Sequence, residues 1–279
     1  MQVKDALKLA YDQLTNFLEK ERAKWEAILI VSHLLKVSPL NVYLYPEAEL
    51  NEDELWKVLK KRSAREPLAY IFGEAYFWGR KFLVEKGVLI PRPETELLIE
   101  VFLNSYSKDD GKFLDVGIGS GVIGITLLIE KPKAKVFGVD ISDKAIEVSL
   151  KNARLYGVRS RYFILKGDWL TPFKKGAFDV VLSNPPYISN DEYFTLERDV
   201  RDFEPKEALL AGEKGLDFCE KLLKHGDEIL KPGGFLIFEI GYNQYQEVKN
   251  LLKLFNWNFQ FFKDLSGHYR VVKAWREST

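Results

Sequence analysis

Apolar residues recur at helical spacing from the start of the chain. Val3, Leu7, Ala10, Leu14, Phe17 and Leu18 share one face over residues 3–20, and Trp25, Ile28, Leu29, Ser32 and Leu35 repeat the pattern over 22–36. Ser38-Pro39 breaks it. Asn51, followed three residues later by Glu54, has the form of an N-cap for a third helix through Leu55, Val58 and Leu59 to about Ala64. Residues 1–74 are therefore expected to form a small helical domain. Over 75–92 the run Tyr76-Phe77-Trp78, Gly79-Arg80-Lys81, Phe82-Leu83-Val84 predicts a β-hairpin linking it to a second domain, 93–279.

From residue 112 the pattern alternates. Strands are predicted at Lys112–Val116, Lys135–Asp140, Arg161–Lys166 and Phe178–Ser183, with helices at Val122–Glu130 and Ser142–Tyr156 between the first three. A helix over Gly215–Leu230 is expected to stop at Lys231-Pro232-Gly233-Gly234, ahead of a fifth strand, Phe235–Ile240. A helix over Tyr242–Phe255 and a closing strand pair, Trp257–Phe262 and Arg270–Trp275, complete an α/β, Rossmann-like domain. In such open parallel sheets ligands lie beyond the carboxyl ends of the strands. The glycine loop Gly117-Ile118-Gly119-Ser120-Gly121, Asp140, Asp168-Trp169 and Asn184–Tyr187 all fall on that edge.

Composition narrows the choices. Lys+Arg and Asp+Glu are both 41, and neither side of residue 75 hides an excess of more than one charge, so the field that nucleic-acid binding rests on is missing. The single cysteine, Cys219, excludes an internal disulfide and a cysteine-rich metal site, and its apolar helical setting marks it as core. Without an apolar run of 18 residues or a signal-like N-terminus, the chain is expected to be cytoplasmic, away from membranes and monomeric.

Candidate chemistry centres on Asn184-Pro185-Pro186-Tyr187. Two prolines remove two backbone donors, so the loop after the fourth strand offers carbonyl oxygens and few N–H groups. Asn184 adds an acceptor and Tyr187 a flat apolar face, a rim suited to a planar group bearing an NH2. An ordinary strand-ending turn is the bland alternative. Pro93, Glu94 and Glu96 are accounted for as a helix start, whereas Arg92 is not.

Gly119-x-Gly121-x-x-Gly124 also admits a dinucleotide dehydrogenase. Asp115, placed just before the loop, would repel a pyrophosphate and could grip an ammonium group. Asp140 is placed for ribose hydroxyls, and the Asn184 loop has no use in hydride transfer. An adenosyl sulfonium cofactor in an aromatic pocket suits these features better.

Gly87-Val88-Leu89-Ile90-Pro91-Arg92-Pro93-Glu94-Thr95-Glu96, Asp115–Gly121, Asp140, Asn184–Ile188, Glu204-Pro205 and Glu239-Ile240-Gly241 with Gln244 together resemble the HemK/PrmC family of protein-glutamine N5-methyltransferases over nearly the full length. The resemblance implies a seven-stranded S-adenosyl-L-methionine-dependent methyltransferase domain yielding S-adenosyl-L-homocysteine, behind a helical domain that recognises the substrate. That substrate is a glutamine in the Gly-Gly-Gln loop of peptide-chain release factors. It assigns cofactor contacts to Arg92, Asp115, Gly117, Ile118, Gly119, Ser120, Gly121, Asp140, Ile141, Asp168, Trp169 and Asn184, and the reacting amide to Asn184, Pro185, Pro186 and Tyr187. Phe203 and Ile118 depart from the family pattern, which has Tyr and commonly Thr there. A base amino-methyltransferase, with a basic cleft and a pocket for a flipped base, is the alternative enzyme, and a non-catalytic module that kept the fold is a third reading.

Overall fold

The computed structural model describes residues 1–170 and 173–277; positions 171–172 and the last two of the domain expected over 93–279 lie outside them. The chain forms two compact units, Met1–Gly73 with Arg198–Phe203, and Glu74–Glu197 with the residues from Glu204 on.

The first unit holds helices α1 (Val3–Leu14), α2 (Lys20–Leu35), α3 (Glu52–Ser63) and the short α4 (Leu68–Phe72). Val3, Ala6, Ala10 and Leu14 pack on Ala27, Ile30 and Val31 of α2 and on Leu55 and Leu59 of α3. Asn51 caps α3, accepting from the N–H groups of Asp53 and Glu54 at 3.0 and 3.3 Å. Helix α1 stops at Leu14, short of the expected residue 20. The Thr15 hydroxyl and Asn16 amide donate to the carbonyls of Asp12 and Gln13, competing with the helical ladder.

Residues 198–203, expected in the second domain, belong to this unit for an electrostatic reason. Arg62, 1% exposed, donates to Glu26 Oε2 and Oε1 at 2.5 and 3.0 Å and to Asp199 Oδ2 at 2.6 Å. Asp199 also receives Arg22 at 2.9 Å and stands 2.8 Å from Arg65. Such a cluster is tolerated in low dielectric only while every charge keeps its partner.

In the second unit β1 (Glu74–Phe77) and β2 (Arg80–Leu83) form a hairpin whose two-residue turn, Trp78-Gly79, has φ 52° and 67°. The remaining strands are β3 (Lys112–Val116), β4 (Lys135–Asp140), β5 (Tyr162–Lys166), β6 (Phe178–Ser183), β7 (Leu230–Glu239), β8 (Asn258–Lys263) and β9 (Tyr269–Trp275). They make one seven-stranded sheet, order β5-β4-β3-β6-β7-β9-β8, antiparallel only at β9 and β8. Helices α5 (Glu96–Ser105), α6 (Val122–Glu130) and α7 (Asp143–Leu155) contribute to the core on one face; helices Asp217–Ile229 and Tyr245–Leu254 build the core on the other. Cys219 is buried there, its thiol pushed up to about 12 by burial.

Strand β7 runs through Lys231–Gly234, the segment expected to stop a helix and precede the strand. A shift in pairing between Phe178 and Val180 absorbs the irregularity, and Gly234 fits because a Cβ there would stand 2.9 Å from the Asp179 carbonyl. Register matters more for function. Val139, Val116, Ser183 and Phe238 form one row across β4, β3, β6 and β7. The next residue on each strand, Asp140, Gly117, Asn184 and Glu239, therefore lies at a common level. No helix among the described residues is long and apolar enough to cross a membrane.

Removing one charge from the Arg62 cluster should leave its buried partners uncompensated. We expect Asp199→Ala to destabilise the first unit by about 3 kcal/mol, read as lost hydrogen-exchange protection of α1–α3 in the full chain. Wild-type protection would contradict this assignment.

Candidate active site

The loop between β3 and α6 is shaped by Gly117, Gly119 and Gly121, with φ 75°, 52° and 83°. A Cβ on Gly117 or Gly119 would meet no protein atom within 4 Å, and both line a cavity of about 500 Å³, a small-molecule size. Asp140, at the end of β4, closes the loop. Its Oδ2 accepts from Gly119 N–H at 3.0 Å and its Oδ1 from Ser142 N–H at 2.9 Å. Burial raises its carboxyl above the usual carboxylate value, against the pull of the N–H groups of Ser142, Gly119 and Ile141. Asn152 braces the same loop, its Nδ2 donating to the Ser120 carbonyl at 2.9 Å.

Trp169 and Phe218 form an aromatic wall, stacked at 4.5 Å and 19°. Trp169 holds φ 56°, uncommon for a side chain of its bulk. Ile141, Asn184 and Pro186 line the cavity too, as do Gly87, Val88, Leu89 and Lys144.

The Asn184 loop is held at four points. Ser183 Oγ donates to the Val116 carbonyl at 2.8 Å. Asn184 Nδ2 donates to Thr95 Oγ1 at 3.0 Å, and Thr95 Oγ1 donates to Glu239 Oε2 at 2.7 Å. The Tyr187 hydroxyl donates to Glu239 Oε1 and accepts from Arg270 Nη2, both at 3.2 Å. Gln244 Nε2 donates to the Tyr187 carbonyl at 2.9 Å, while its Oε1 accepts from Gly241 N–H. Burial and the Glu239 charge raise the Tyr187 phenol well above its usual value, keeping it protonated.

Other expected residues stand outside the cavity lining. Asp115 is fully buried on the α6 face of β3, its Oδ2 accepting from Gly124 N–H at 2.9 Å; strand alternation turns it from the cavity that Val116 lines. Arg92 is drawn to Glu204, 2.5 Å away, and does not line the cavity. Gly121 answers to packing, since a Cβ would stand 2.3 Å from Ser149 Oγ. Ile118 and Ser120 are buried, at 3% and 2% exposure, and do not line the cavity, and Asp168 is exposed outside the lining. Pro185, which is buried, and Tyr187, in the network just described, flank the lining residues Asn184 and Pro186 in the same loop. Sequence reasoning missed Phe218, Thr95 and Arg270. Phe218 carries no sequence signal, and Thr95 sat unremarked inside Pro93–Glu96.

Open space over Gly117 and Gly119, spare lone pairs on Asp140 and an aromatic wall fit an adenosyl amino-acid cofactor. Together with the seven-stranded sheet they define an S-adenosylmethionine-dependent methyltransferase. The fold is shared with a methyltransferase from Pyrococcus furiosus, with TM-score 0.53 and 18% identity over 77% of this chain and 98% of that one. The methyltransferase small domain model matches residues 93–199, the PrmC N-terminal domain model residues 5–73, and the Eco57I restriction-modification methylase model residues 158–266. A release factor glutamine methyltransferase from Aquifex aeolicus is 38% identical over 97% of both chains, and one from Nitratidesulfovibrio vulgaris 36% identical over 92% of this chain and 90% of its own. The chain belongs to the release factor glutamine methyltransferase family.

Asp140 both closes the loop and faces the cavity, so Asp140→Ala should weaken S-adenosylmethionine binding about tenfold to a hundredfold by calorimetry; unchanged affinity would contradict this. Asp115 yields a stability prediction. Burial, the largest cause, lifts its carboxyl from 3.8 to about 7, so between those values the folded state keeps a proton that the unfolded chain releases. Its contribution to stability therefore falls as pH rises through that window. Asp115→Asn should gain on wild type from pH 4 to 7 and hold level above; a stability difference independent of pH would refute it.

Proposed function

We propose that this chain transfers a methyl group from S-adenosylmethionine to the side-chain amide nitrogen of the glutamine in the Gly-Gly-Gln loop of peptide-chain release factors. The observation that carries this reading is Asn184. It lines the cavity and gives its Nδ2 to Thr95, which leaves Oδ1 as the acceptor for an incoming NH2.

When bound, S-adenosylmethionine supplies an electrophilic methyl group on a sulfonium sulfur. Gly117 and Gly119 would receive its methionine part, Asp140 its ribose, and Trp169 with Phe218 its adenine. Asn184 Oδ1 and the Pro185 carbonyl would accept hydrogen bonds from the two N–H groups of the glutamine amide, with Pro186 and Tyr187 bounding its plane. An amide nitrogen is a weak nucleophile because its lone pair is delocalised. Gripping both protons favours a pyramidal nitrogen and aims the lone pair. Holding reacting atoms about 3 Å apart and in line supplies most of the acceleration such a transfer needs. We read the first unit, which carries no such constellation, as the part that contacts the protein substrate.

The Eco57I match over 158–266 favours a second reading, since it spans the Asn184 loop and the same grip would suit an exocyclic base amine. The balanced charge and the relatives matched from end to end weigh against it.

Single-turnover transfer to release factor tests the assignment. Asn184→Ala should slow it about a hundredfold or more while S-adenosylmethionine affinity stays near wild type. Asn184→Asp, which keeps acceptor oxygens, should retain more activity than Ala. A wild-type rate in Asn184→Ala, or a loss explained wholly by cofactor binding, would remove Asn184 from this role.

A further inference from the structure

Asn184 can grip a substrate amide through Oδ1 only if its own amide is prevented from turning over, because an NH2 in that place would repel the incoming donor. The constraint comes from two residues away from the cavity lining, Thr95 and Glu239, 2% and 0% exposed. A carboxylate can only accept. The one proton of the Thr95 hydroxyl is committed to Glu239 Oε2 at 2.7 Å, and the lone pairs of Thr95 Oγ1 face Asn184. Those lone pairs demand a donor, and Asn184 answers with Nδ2 at 3.0 Å, not Oδ1. Arg270 fixes the far end of the chain by donating to Glu239 Oε1 at 3.2 Å. Donation converges on Glu239, from Arg270 on one side and from Asn184 through Thr95 on the other.

We propose that Glu239, acting through Thr95, is a positioning residue that locks the Asn184 amide with its oxygen toward the substrate. The lock also strengthens that oxygen as an acceptor. Pull on the Asn184 N–H by a hydroxyl already polarised by a carboxylate moves electron density onto Oδ1, as hydrogen bonds in series do. The proposal rests on the reading of Asn184 as the amide clamp and adds the source of its orientation. It makes a specific claim about Glu239→Gln. A glutamine beside Arg270, which only donates, turns its oxygen toward Arg270 and its NH2 toward Thr95. Thr95 then accepts from residue 239 and donates to Asn184, and the Asn184 amide reverses.

The test is a double-variant cycle in the full-length protein, with single-turnover methyl transfer to release factor, KM for release factor, S-adenosylmethionine affinity and thermal unfolding measured for each variant. Thr95→Val should lower the rate about tenfold or more, with cofactor affinity within twofold of wild type, and Thr95→Ser should restore most of it. In an Asn184→Ala background Thr95→Val should cost little further, because the group it orients is gone. The Asn184 side-chain NH2 resonances, identified by their disappearance in Asn184→Ala, should shift in Thr95→Val and stay in place in Thr95→Ser. Glu239→Gln should reproduce the Thr95→Val pattern and provides the same cycle if Thr95→Val does not fold. Equal rate losses in the wild-type and Asn184→Ala backgrounds, or a Thr95→Ser variant as slow as Thr95→Val, would overturn the lock while leaving Asn184 as the clamp. A wild-type rate in Asn184→Ala would instead overturn the clamp on which it rests.

Discussion

The arrangement of this site depends on one buried carboxylate. Glu239 has no solvent exposure, and burial pushes its carboxyl above the usual carboxylate range. Thr95, Arg270 and Tyr187 pull it back by hydrogen bonding and charge. A buried anion is costly unless every lone pair it presents is answered. Here the answering groups are also those that brace the Asn184–Tyr187 loop, so the requirement to solvate Glu239 fixes both ends of that loop at once. Tyr187 is held directly and Asn184 through Thr95.

Sheet register explains why so few residues suffice. Because Val139, Val116, Ser183 and Phe238 stand in one row, the residues that follow them emerge side by side at the carboxyl edge. On the proposed reading, Asp140 and Gly117 face the cofactor, and Asn184, with Glu239 behind it, faces the acceptor amide. A shift of one residue in any strand would turn its residue to the opposite face. The apolar rows of β3, β6 and β7, packed on both faces, hold that register.

Much of this was legible in the chain. Strand and helix periodicity, the cap at Asn51 and the glycine loop predicted the elements and the edge at which they meet, because each is a local signal. The Asn184–Tyr187 loop was readable for the same reason. Asp115 was misread by sequence proximity to the loop, although the two-residue period already places it with Phe113 and opposite Leu114 and Val116. Arg92 and residues 198–203 could not be placed, since their partners Glu204 and Arg62 lie 112 and 137 residues away. Phe218 was invisible because a phenylalanine in an amphipathic helix reads as core whether or not it borders a cavity.

On the proposed reading, the carbonyl-rich edge at Asn184 serves a glutamine amide. The most direct test of that reading is peptide mass spectrometry of release factor after incubation with the full-length protein and methyl-labelled S-adenosylmethionine, alongside a parallel incubation with duplex and single-stranded DNA. We expect one labelled methyl group on the glutamine of the Gly-Gly-Gln loop and none on the nucleic acid. Label on an adenine or cytosine, or on a release-factor residue other than that glutamine, would contradict it.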